Sequence, residues 1–316
     1  MRVAVDAMGG DYAPAEIVRG ALLAVAEYGA EVLLVGNEAA IRAELKDKND
    51  GRIAVVSASE VISMGESPVK AVRRKKDSSI VRAVQMVKEG RAEAMLSAGN
   101  TGAVMAAALL ELGRLEGVDR PALMTLVPNP HGHTVLLDVG ANVDVKAHHL
   151  VQFAIMGAAY ASSVLGIKDP RVGILSIGEE ETKGNELTFS AFSLLKREPL
   201  NFIGNVEGRD VFTGRADVVV CDGFVGNVLL KAGEGLAQAF GVMLHPGLQH
   251  LDYAETGGAP LLGVNGVVVV AHGSSKARAI KNAIRVAMKA VASGLVFATA
   301  EGFARRHARG AGTVNG

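Results

Sequence analysis

Apolar runs rich in Val, Ile, Leu and Ala alternate along the chain with stretches in which apolar residues recur at helical spacing. The runs predict strands at residues 2–5, 31–35, 53–56, 94–96, 172–176, 202–206, 218–221 and 267–271. The stretches between them predict helices at residues 14–28, 39–45, 67–76, 80–89 and 101–112, and one long helix at residues 276–300. Strands that alternate with helices over this length favour an α/β fold with a doubly wound, mostly parallel sheet.

The middle of the chain departs from this alternation. Two apolar runs, residues 122–127 and 134–137, flank the short loop Asn129-Pro130-His131-Gly132 and predict a β-hairpin. Residues 150–167 carry no acidic or basic charge up to Ile167 and approach the length of a membrane span, but they are rich in Ala, Ser and Gly. We interpret that stretch as a helix buried in a large domain.

The ends of the predicted strands carry the chemically most informative pattern. Six runs end in Gly-rich turns that hold Asn, Asp or Ser, at residues 6–11, 97–102, 138–142, 176–179, 222–227 and 272–275. In an open parallel sheet the carboxyl ends of the strands share one edge, and ligands bind there. Glycine lets the backbone approach a ligand, and the N-termini of the following helices attract anions. The pattern therefore predicts an enzyme or a binding protein for a small anionic group.

Composition narrows the classes of function. The chain has 316 residues, and we expect one two-lobed domain over residues 1–303 with a flexible, basic and Gly-rich tail at 304–316. Lys plus Arg and Asp plus Glu each number 33, so the net charge gives no argument for nucleic acid as a partner. The single cysteine, Cys221, cannot form an internal disulfide and is interpreted as a buried structural thiol. Because the first residues also do not fit a signal peptide, we expect a cytoplasmic protein.

Several familiar catalytic motifs are missing from the sequence. It contains no P-loop, no Gly-x-Gly-x-x-Gly after the first strand and no Gly-x-Ser-x-Gly elbow, so a serine nucleophile of the hydrolase type is not expected. The histidine pairs His131 with His133 and His148 with His149 lack Cys or carboxylate partners at ligand spacing, so we expect neither a metal nor a cofactor. The acidic run at 179–181 leaves a cation site and a solvated loop equally open.

The turns offer neutral hydrogen-bond donors and one cation. Asn tolerates positive φ, so geometry explains any single turn, but several such turns at one edge of a sheet favour a ligand. The cation is Lys183, and the neutral donors are Asn100, Asn142, Asn205 and Asn227. Together these groups can hold phosphate and stabilise a developing oxyanion, so that no protein nucleophile is required.

Longer strings carry a resemblance to a known family from residue 1 to about residue 300. They are Asp6-Ala-Met-Gly-Gly-Asp11, Lys75-Lys-Asp-Ser-Ser79, Ser97-Ala-Gly-Asn-Thr-Gly-Ala103, Leu137-Asp-Val-Gly-Ala-Asn142, Ser176-Ile-Gly-Glu-Glu180, Lys183-Gly-Asn-Glu186, Phe202-Ile-Gly-Asn-Val-Glu-Gly-Arg209, Val220-Cys-Asp-Gly-Phe-Val-Gly-Asn227, Gly257-Gly-Ala-Pro-Leu-Leu-Gly263 and His272-Gly-Ser-Ser275. In these strings the chain resembles the bacterial phosphate acyltransferases of phospholipid synthesis, the PlsX family. That family moves a fatty acyl group from acyl carrier protein to inorganic phosphate.

The resemblance implies a three-layer α/β/α fold of the isocitrate dehydrogenase and phosphotransacetylase type. It also implies a homodimer that takes acyl carrier protein and inorganic phosphate as substrates and associates with the inner face of the membrane. A membrane glycerol-phosphate acyltransferase is a further candidate partner. The chain departs from the family pattern where members carry a longer helical excursion, associated with dimer and membrane contacts, because only residues 241–251 stand there. We therefore expect weak binding to membranes.

The family's reaction suggests roles for the candidate residues. The resemblance links Lys183 and Asn227 to activity. His272 is a candidate acid for the leaving sulfur, and a structural hydrogen bond in its turn explains it equally well. The candidates for binding phosphate or substrate are Gly9, Gly10, Asp11, Asn100, Thr101, Asn142, Asn205, Asp222, Ser274 and Ser275, the last two of which also precede a helix as potential caps. The densest positive cluster is the candidate docking surface for the carrier, and it consists of Arg73, Arg74, Lys75 and Lys76.

Two other functions stay open from the sequence. A phosphotransacetylase that uses acyl-coenzyme A, or a decarboxylating dehydrogenase, would share the implied fold, but the dehydrogenase needs an Arg-rich acidic metal site that the sequence lacks. A non-catalytic partner protein of lipid synthesis would leave the polar Gly-rich turns unexplained. In the favoured mechanism a phosphate oxygen attacks the thioester carbonyl directly.

Overall fold

The structure, a computed structural model, describes residues 1–46, 51–241 and 257–312. The first part of the chain forms β1 (Arg2–Asp6), α1 (Ala15–Tyr28), β2 (Glu31–Gly36), α2 (Glu38–Leu45), β3 (Ile53–Ser57), α3 (Pro68–Arg74), α4 (Ser79–Lys88), β4 (Ala94–Ser97) and α5 (Thr101–Glu111). The middle forms β5 (Ala122–Asn129), β6 (Gly132–Leu137), α6 (Ala147–Ser163), β7 (Arg171–Leu175), α7 (Glu186–Leu195), β8 (Asn201–Val206), a 3₁₀ turn (Gly208–Phe212), β9 (Val218–Val220) and α8 (Gly223–Gly241). The last part forms β10 (Ala259–Leu262), β11 (Val267–Val270), α9 (Ala277–Ala292) and α10 (Leu295–Gly312).

The chain divides into two compact units. Unit 1 consists of Met1–Gly113 and Asp252–Ala292, and unit 2 consists of Arg114–Leu251 and Ser293–Gly316. In unit 1 the strands lie in the order β3-β2-β1-β4-β11-β10, and all neighbours are parallel except β10 and β11. Val3, Ala4 and Val5 in β1 are fully buried, as expected for a parallel strand covered on both faces. Burying each valine contributes roughly 1.5–3 kcal/mol.

Unit 2 has its own strand order, β5-β6-β9-β7-β8. The β5–β6 pair is the antiparallel hairpin that the sequence predicts, and the remaining neighbours are parallel. Helix α6 packs on this sheet and buries Phe153 and Tyr160 among its strands and helices. It covers most of the uncharged stretch at 150–167, so the interpretation of that stretch as a buried helix is confirmed.

The alternation of strands and helices confirms the predicted α/β fold with mostly parallel strands, and two details differ. Ala259–Leu262 forms a strand that the sequence did not reveal, because this short run contains a proline and follows two glycines. The predicted helix at 276–300 is two helices, α9 and α10. Gly294 separates them with φ at +64°, a conformation that ends helices.

The C-terminal part of the chain continues as a helix beyond the predicted domain end at residue 303. Helix α10 runs to Gly312, and residues 313–316 lie outside the described residues. The flexibility of the tail at 304–316 stays a prediction. Residues 242–251 of the shortened segment at 241–251 also lie outside the described residues.

Among the described residues, no single helix is both long enough and apolar enough to cross a bilayer. One bent pair, Ala277–Ala292 with Leu295–Arg306, reaches the required length and composition when its two helices are counted together.

Candidate functional site

Three turns of unit 1 stand at one edge of its sheet, and we call residues 6–11, 97–102 and 272–275 the unit-1 edge. They share the edge because β4 pairs in parallel with both β1 and β11. Asp6 is buried and accepts hydrogen bonds from Ser97 Oγ at 2.6 Å and from the N–H of Met8 at 3.1 Å. Burial raises the pKa of Asp6, although these hydrogen bonds act in the opposite direction. Asp6 thus ties the first turn to the second.

Seven of the predicted binding residues lie on this edge, and four of them are Gly9, Gly10, Asp11 and Thr101. Gly10 has φ at +103°, which a side chain would disfavour. The N–H of Asp11 donates to the carbonyl oxygen of Gly273 at 2.8 Å and joins the first turn to the third. Gly9 is buried, and Thr101 is the first residue of α5. Binding of phosphate by these residues stays a prediction.

Asn100 serves the protein's own backbone. Its Oδ1 accepts the N–H of Ala103 at 3.0 Å and caps α5. Its Nδ2 donates towards three carbonyl oxygens, those of Ser63 (3.2 Å), Met64 (3.0 Å) and Glu66 (3.2 Å). These contacts engage both amide hydrogens. The role of this side chain in orienting the oxygens of a substrate stays a prediction.

His272 is exposed and stands beside Ser274. The Nδ1 atom of His272 lies 2.7 Å from Ser274 Oγ and accepts the N–H of Ser274 at 3.2 Å. Because Nδ1 accepts, the hydrogen of the neutral ring is on Nε2. Ser275 differs from its neighbours: its Oγ is buried and has no hydrogen-bond partner in the described part of the chain. A hydroxyl that is buried in this way is not accessible to phosphate.

The turns after β6, β7 and β9 form the corresponding edge of unit 2, and we call residues 138–142, 176–185 and 222–227 the unit-2 edge. Asp138 organises the first of them. Its Oδ1 accepts the N–H groups of Leu123 (3.1 Å), Gly140 (3.2 Å) and Ala141 (3.0 Å). Its Oδ2 accepts the backbone N–H of Asn142 at 2.6 Å and the Nδ2 of Asn142 at 2.8 Å. Burial raises the pKa of this carboxyl too.

Two further binding candidates hold the backbone of unit 2 rather than face a ligand. The Nδ2 of Asn142 donates to the carbonyl oxygen of Pro121 at 2.8 Å as well as to Asp138. Asp222 Oδ1 accepts the N–H groups of Phe224 at 3.0 Å and Val225 at 2.9 Å, at the start of α8. Asn142 is a buried brace and Asp222 is a helix cap, and their roles as phosphate ligands stay predictions.

Asn227 lies in α8, directly after the third turn of this edge. Its Nδ2 donates to the carbonyl oxygen of Val139 at 3.0 Å, which engages one of its two amide hydrogens. Cys221, which precedes α8, donates from Sγ to the carbonyl oxygen of Asp138 at 3.6 Å. Burial raises the pKa of the Cys221 thiol well above its ordinary value. The interpretation of Cys221 as a buried structural thiol is confirmed.

Lys183 is exposed on the turn that follows β7. Its carbonyl oxygen accepts Ser176 Oγ at 3.1 Å and Asn205 Nδ2 at 3.2 Å, and Asn205 also donates to the carbonyl oxygen of Glu180 at 2.8 Å. Asn205 therefore supports the backbone of Lys183, and its role as a ligand stays a prediction. In the described part of the chain no carboxylate lies within ion-pair distance of Lys183 Nζ.

Sequence reasoning missed two arginines beside the Ser176–Glu180 turn. Arg215 pairs with Glu179 and lies 3.5 Å from Asp210, and Arg209 pairs with Glu207. The Arg215 guanidinium lowers the pKa of Glu179. The chain separation between Arg215 and Glu179 hides this pair from any local motif. Only Arg209 stands within one of the family strings.

Among the described residues, two groups of side chains come close enough to share a cation, and the chemistry of neither group favours one. His149 lies near Asp119 and His148, but its Nδ1 accepts the N–H of Lys146 at 3.0 Å, so its Nε2 carries the ring hydrogen. Burial lowers the pKa of His149. In the second group, Glu179, Glu207 and Asp210 already face the arginines described above.

The predicted docking cluster on α3 is split between exposed and engaged cations. Arg73, Arg74 and Lys76 are exposed. Lys75 is not available in the same way, because its Nζ donates to Glu66 Oε1 and to the carbonyl oxygen of Val61, each at 2.6 Å. Arg73, Arg74 and Lys76 therefore stay candidates for docking a partner, although Arg74 also pairs with Glu66 at 3.4 Å, and Lys75 has a structural role.

The chain is similar to curated proteins over almost its whole length. The family model described as "Fatty acid synthesis protein" matches residues 1–250 and 242–297. A phosphate acyltransferase of Pelotomaculum thermopropionicum is 57% identical over 94% of this chain and 93% of its own length. A phosphate acyltransferase of Desulforudis audaxviator is 54% identical over the whole of both chains. That alignment has 339 positions, 23 more than the 316 residues of this chain.

Solved structures with a similar fold are more distant in sequence. A phosphotransacetylase from Streptococcus pyogenes superposes with a TM-score of 0.67 and 19% identity, over 93% of this chain and 94% of that one. A branched-chain phosphotransacylase from Enterococcus faecalis V583 gives 0.64 and 19%, over 92% and 99%. At this identity the likeness shows the fold alone, and it confirms the expected relation to the phosphotransacetylase type of fold.

Proposed function

The chain belongs to the phosphate acyltransferase family, and we propose roles in the family's reaction for Lys183, Asn227 and His272. The protein is an enzyme that transfers a fatty acyl group from acyl carrier protein to inorganic phosphate and so provides acyl phosphate for phospholipid synthesis. The observation that carries the assignment of residues is the exposed Lys183 on a braced turn, with no carboxylate partner in the described part of the chain.

The proposed reaction is a direct attack. A phosphate oxygen forms a bond to the thioester carbonyl carbon, and the carbonyl oxygen becomes an oxyanion. Collapse of this intermediate breaks the C–S bond, and the carrier leaves as a thiolate that takes a proton. Cys221 is unsuited to form an acyl-enzyme, because its thiol is buried and its pKa is raised. We therefore expect positioning and charge stabilisation to supply the catalysis.

Lys183 is the proposed cation for phosphate. An ammonium group on a backbone fixed by Ser176 and Asn205 can neutralise a phosphate oxygen without first breaking an ion pair. Asn227 is the proposed neutral donor of the same unit, because the bond to Val139 fixes its amide and leaves a second hydrogen to donate. The strands before these two residues, β7 and β9, pair in parallel, which supports a shared site at their carboxyl ends.

His272 is the proposed donor on the unit-1 edge, where the backbone N–H groups of Gly10 and Thr101 are further candidates for anion binding. The N–H groups of Gly9 and Asp11 already bond to Asp6 and to the carbonyl oxygen of Gly273. The contact with the N–H of Ser274 places the hydrogen of the neutral ring on Nε2. The ring can thus donate a hydrogen bond to the oxyanion or to the leaving sulfur. The role of His272 as the acid for the leaving sulfur stays a prediction, and Ser274 is proposed to orient the ring.

The experiment that tests the proposal follows acyl-acyl carrier protein after addition of phosphate. We expect loss of the acyl carrier to depend on phosphate and to match the appearance of acyl phosphate. Mass spectrometry of the protein should find no acyl group on Cys221 or Ser274. A covalent acyl-enzyme would contradict direct attack, and a faster reaction with acyl-coenzyme A would favour the phosphotransacetylase alternative.

The exposed cations Arg73, Arg74 and Lys76 are the proposed docking surface for the carrier. Acyl carrier protein is strongly acidic, and oppositely charged surfaces accelerate encounter. The proposal rests on the exposure of these side chains and on their place in unit 1, next to the loop that Asn100 holds.

The homodimer stays a proposal, and α8 supplies its support. Phe224, Val225, Val228 and Leu236 of this helix are exposed apolar residues, and at 100° per residue they fall within an arc of about 120°. Phe224 is 61% and Leu236 59% exposed. A second copy of the chain that covers this face would remove it from water. Val228→Asp should shift the mass in solution from dimer to monomer if this face is the interface.

Membrane association is proposed to be weak. The alignment with the longer relative and the split of the family match at residues 242–250 support a shortened segment there. We propose a cytoplasmic protein whose place at the membrane depends on a partner such as a glycerol-phosphate acyltransferase. Tight sedimentation of the purified protein with anionic vesicles would contradict this proposal.

A further inference from the structure

The loop at residues 61–66 combines exposed apolar side chains with a fixed backbone. Met64 is 54% exposed, and Val61 at the start of the loop is 39% exposed. Val69, at the start of α3, adds a third exposed apolar side chain. Exposed apolar side chains grouped in this way on a protein surface mark contact with an apolar ligand or partner.

Hydrogen bonds hold this loop from two sides. From one side, Asn100 donates to the carbonyl oxygens of Ser63, Met64 and Glu66. From the other side, Glu66 Oε1 accepts the N–H of Ser63 at 2.8 Å and the Nζ of Lys75 at 2.6 Å. Lys75 thereby lowers the pKa of Glu66 and keeps the carboxylate charged. A loop with so many fixed carbonyl oxygens presents its side chains in a defined position.

The loop lies against the unit-1 edge. Met64 Cε is 3.3 Å from the place where a β-carbon on residue 273 would stand, so the thioether lies directly over Gly273. Pro68 Cγ is 2.6 Å from the corresponding place on Gly102, so only glycine fits there. Met64 therefore covers the backbone next to His272, the proposed donor to the oxyanion or sulfur.

The surroundings of Met64 fit one substrate, the acyl group of a thioester held by an acidic carrier. The chain of a fatty acyl group is apolar and gains from contact with a flexible thioether. Tyr12, 46% exposed, is a further apolar side chain next to Asp11, and Asp11 bonds to Gly273. The cations of α3 follow the loop directly in sequence and are complementary in charge to the carrier.

We propose that the 61–66 loop is an acyl-contact surface, in which Met64 touches the acyl chain and Asn100 is the positioning residue that sets the place of Met64. The proposal rests on the proposed function. It assigns to Asn100 a role in recognising the carrier-bound acyl group in place of the phosphate contact that the sequence suggested.

The first experiment compares Met64→Asp and Met64→Ala with the unmodified protein on carriers that bear a long or a short acyl chain. We expect Met64→Asp to lower kcat/KM for the long chain about tenfold or more and for the short chain much less, with the KM for phosphate unchanged. The matched control is Leu110→Asp, an exposed apolar residue of α5 outside the loop, which should leave both values unchanged. Equal kcat/KM in Met64→Asp and unmodified protein would overturn the proposal.

The second experiment changes the position of the loop without touching Met64. Asn100→Asp keeps the oxygen that caps α5 and removes the amide hydrogens that hold the three carbonyl oxygens. We expect the KM for the long-chain carrier to rise several-fold at unchanged phosphate KM. In the double variant with Met64→Ala the loss should stay within about twofold of that of Met64→Ala alone. The matched control is Asn37→Asp at the N-cap of α2, which should behave like the unmodified protein.

The outcomes separate this inference from the proposed function. An unmodified protein that makes no acyl phosphate would contradict the proposed function. An active protein in which Asn100→Asp changes both KM values and turnover alike would give Asn100 a general structural role and overturn its assignment as a positioning residue for the acyl group.

Discussion

The unit-1 edge and the unit-2 edge have a similar backbone arrangement and differ in the side chains that they expose. Each begins with a buried aspartate at the end of a strand, Asp6 in unit 1 and Asp138 in unit 2, and burial raises the pKa of both. Beside Asp6 the surface is extended by apolar side chains such as Met64 and Tyr12. On unit 2 cations stand at or near the turn after β7, and Lys183 and Arg209 are exposed examples. We therefore propose an acyl-contact surface on unit 1 and a phosphate site on unit 2, each considered within its own unit.

The largest effect is expected when the cation of the unit-2 edge is removed, and this change tests the difference between the two edges most directly. Lys183→Ala should lower turnover by roughly a hundredfold or more, because charge stabilisation of the transition state is lost. Asn227→Ala should act similarly, and the double variant should lose less than the product of the two single losses. The measurement is the initial rate of acyl phosphate formation at saturating substrates.

The control for Lys183 is another exposed lysine of unit 2. Lys196 pairs with Glu181 at 2.6 Å and lies on the helix that follows. Lys196→Ala should keep near-normal turnover. If folded Lys183→Ala also kept it, Lys183 would have no part in the site and the assignment of phosphate to the unit-2 edge would fail.

The two buried aspartates should respond differently to replacement by asparagine. At Asp138, four backbone N–H groups and the Asn142 amide point at the carboxylate, so an amide there must face other donors. Asp138→Asn should lower the free energy of unfolding by about 2–3 kcal/mol. Asp6→Asn should cost about 1 kcal/mol or less, because the hydroxyl of Ser97 can turn from donor to acceptor. Denaturation with urea measures both, and equal losses would remove this distinction between the edges.

The docking surface on unit 1 should respond to salt. Reversing Arg73, Arg74 and Lys76 to glutamate should lower kcat/KM for the acyl carrier about tenfold at low ionic strength, and the effect should shrink as salt screens the charges. The matched control is Lys289→Glu. Lys289 is an exposed cation in the last turn of α9, and its reversal should leave kcat/KM unchanged. If kcat/KM were unchanged at low ionic strength, Arg73, Arg74 and Lys76 would have no part in docking the carrier.

The smallest expected effect concerns pH. For Asp6 the folded pKa lies above the ordinary value of 3.8, so between these two values the folded chain binds a proton that the unfolded chain has lost. Lowering the pH through this window therefore stabilises the folded state through Asp6. Asp6→Asn lacks this gain, so its stability relative to the unmodified protein should fall as the pH is lowered towards 4. A difference independent of pH would contradict the raised pKa.

The fold could be predicted from local patterns because its strands are short apolar runs that end in turns. Val3 to Val5 is such a run, and its end at Asp6 is visible in the sequence. The division of α9 from α10 was missed although Gly294 stands at the break, because the helical spacing of apolar residues continues on both sides. β10 was missed because the run is only four residues long, contains Pro260 and follows two glycines.

The site was harder to predict than the fold for one physical reason. The sequence shows which amides stand at the turns, but the acceptor of each amide comes from a distant segment. Asn100 binds the loop at 63–66, and Asn142 binds Pro121. Asparagine at a sheet edge can brace the turn or face the ligand, and only the fold distinguishes these uses. Among the four asparagines, only Asn227 has a role toward the substrate in the proposed mechanism.

Because Cys221 is buried, the accessibility of its thiol to a reagent reports local unfolding around this residue. As the single thiol of the chain, it lies in unit 2 with its Sγ on the carbonyl oxygen of Asp138. An alkylating reagent reaches this sulfur only after β9 separates from its neighbours. The rate of labelling in native buffer therefore times the local unfolding of unit 2 while unit 1, which contributes no thiol, stays silent.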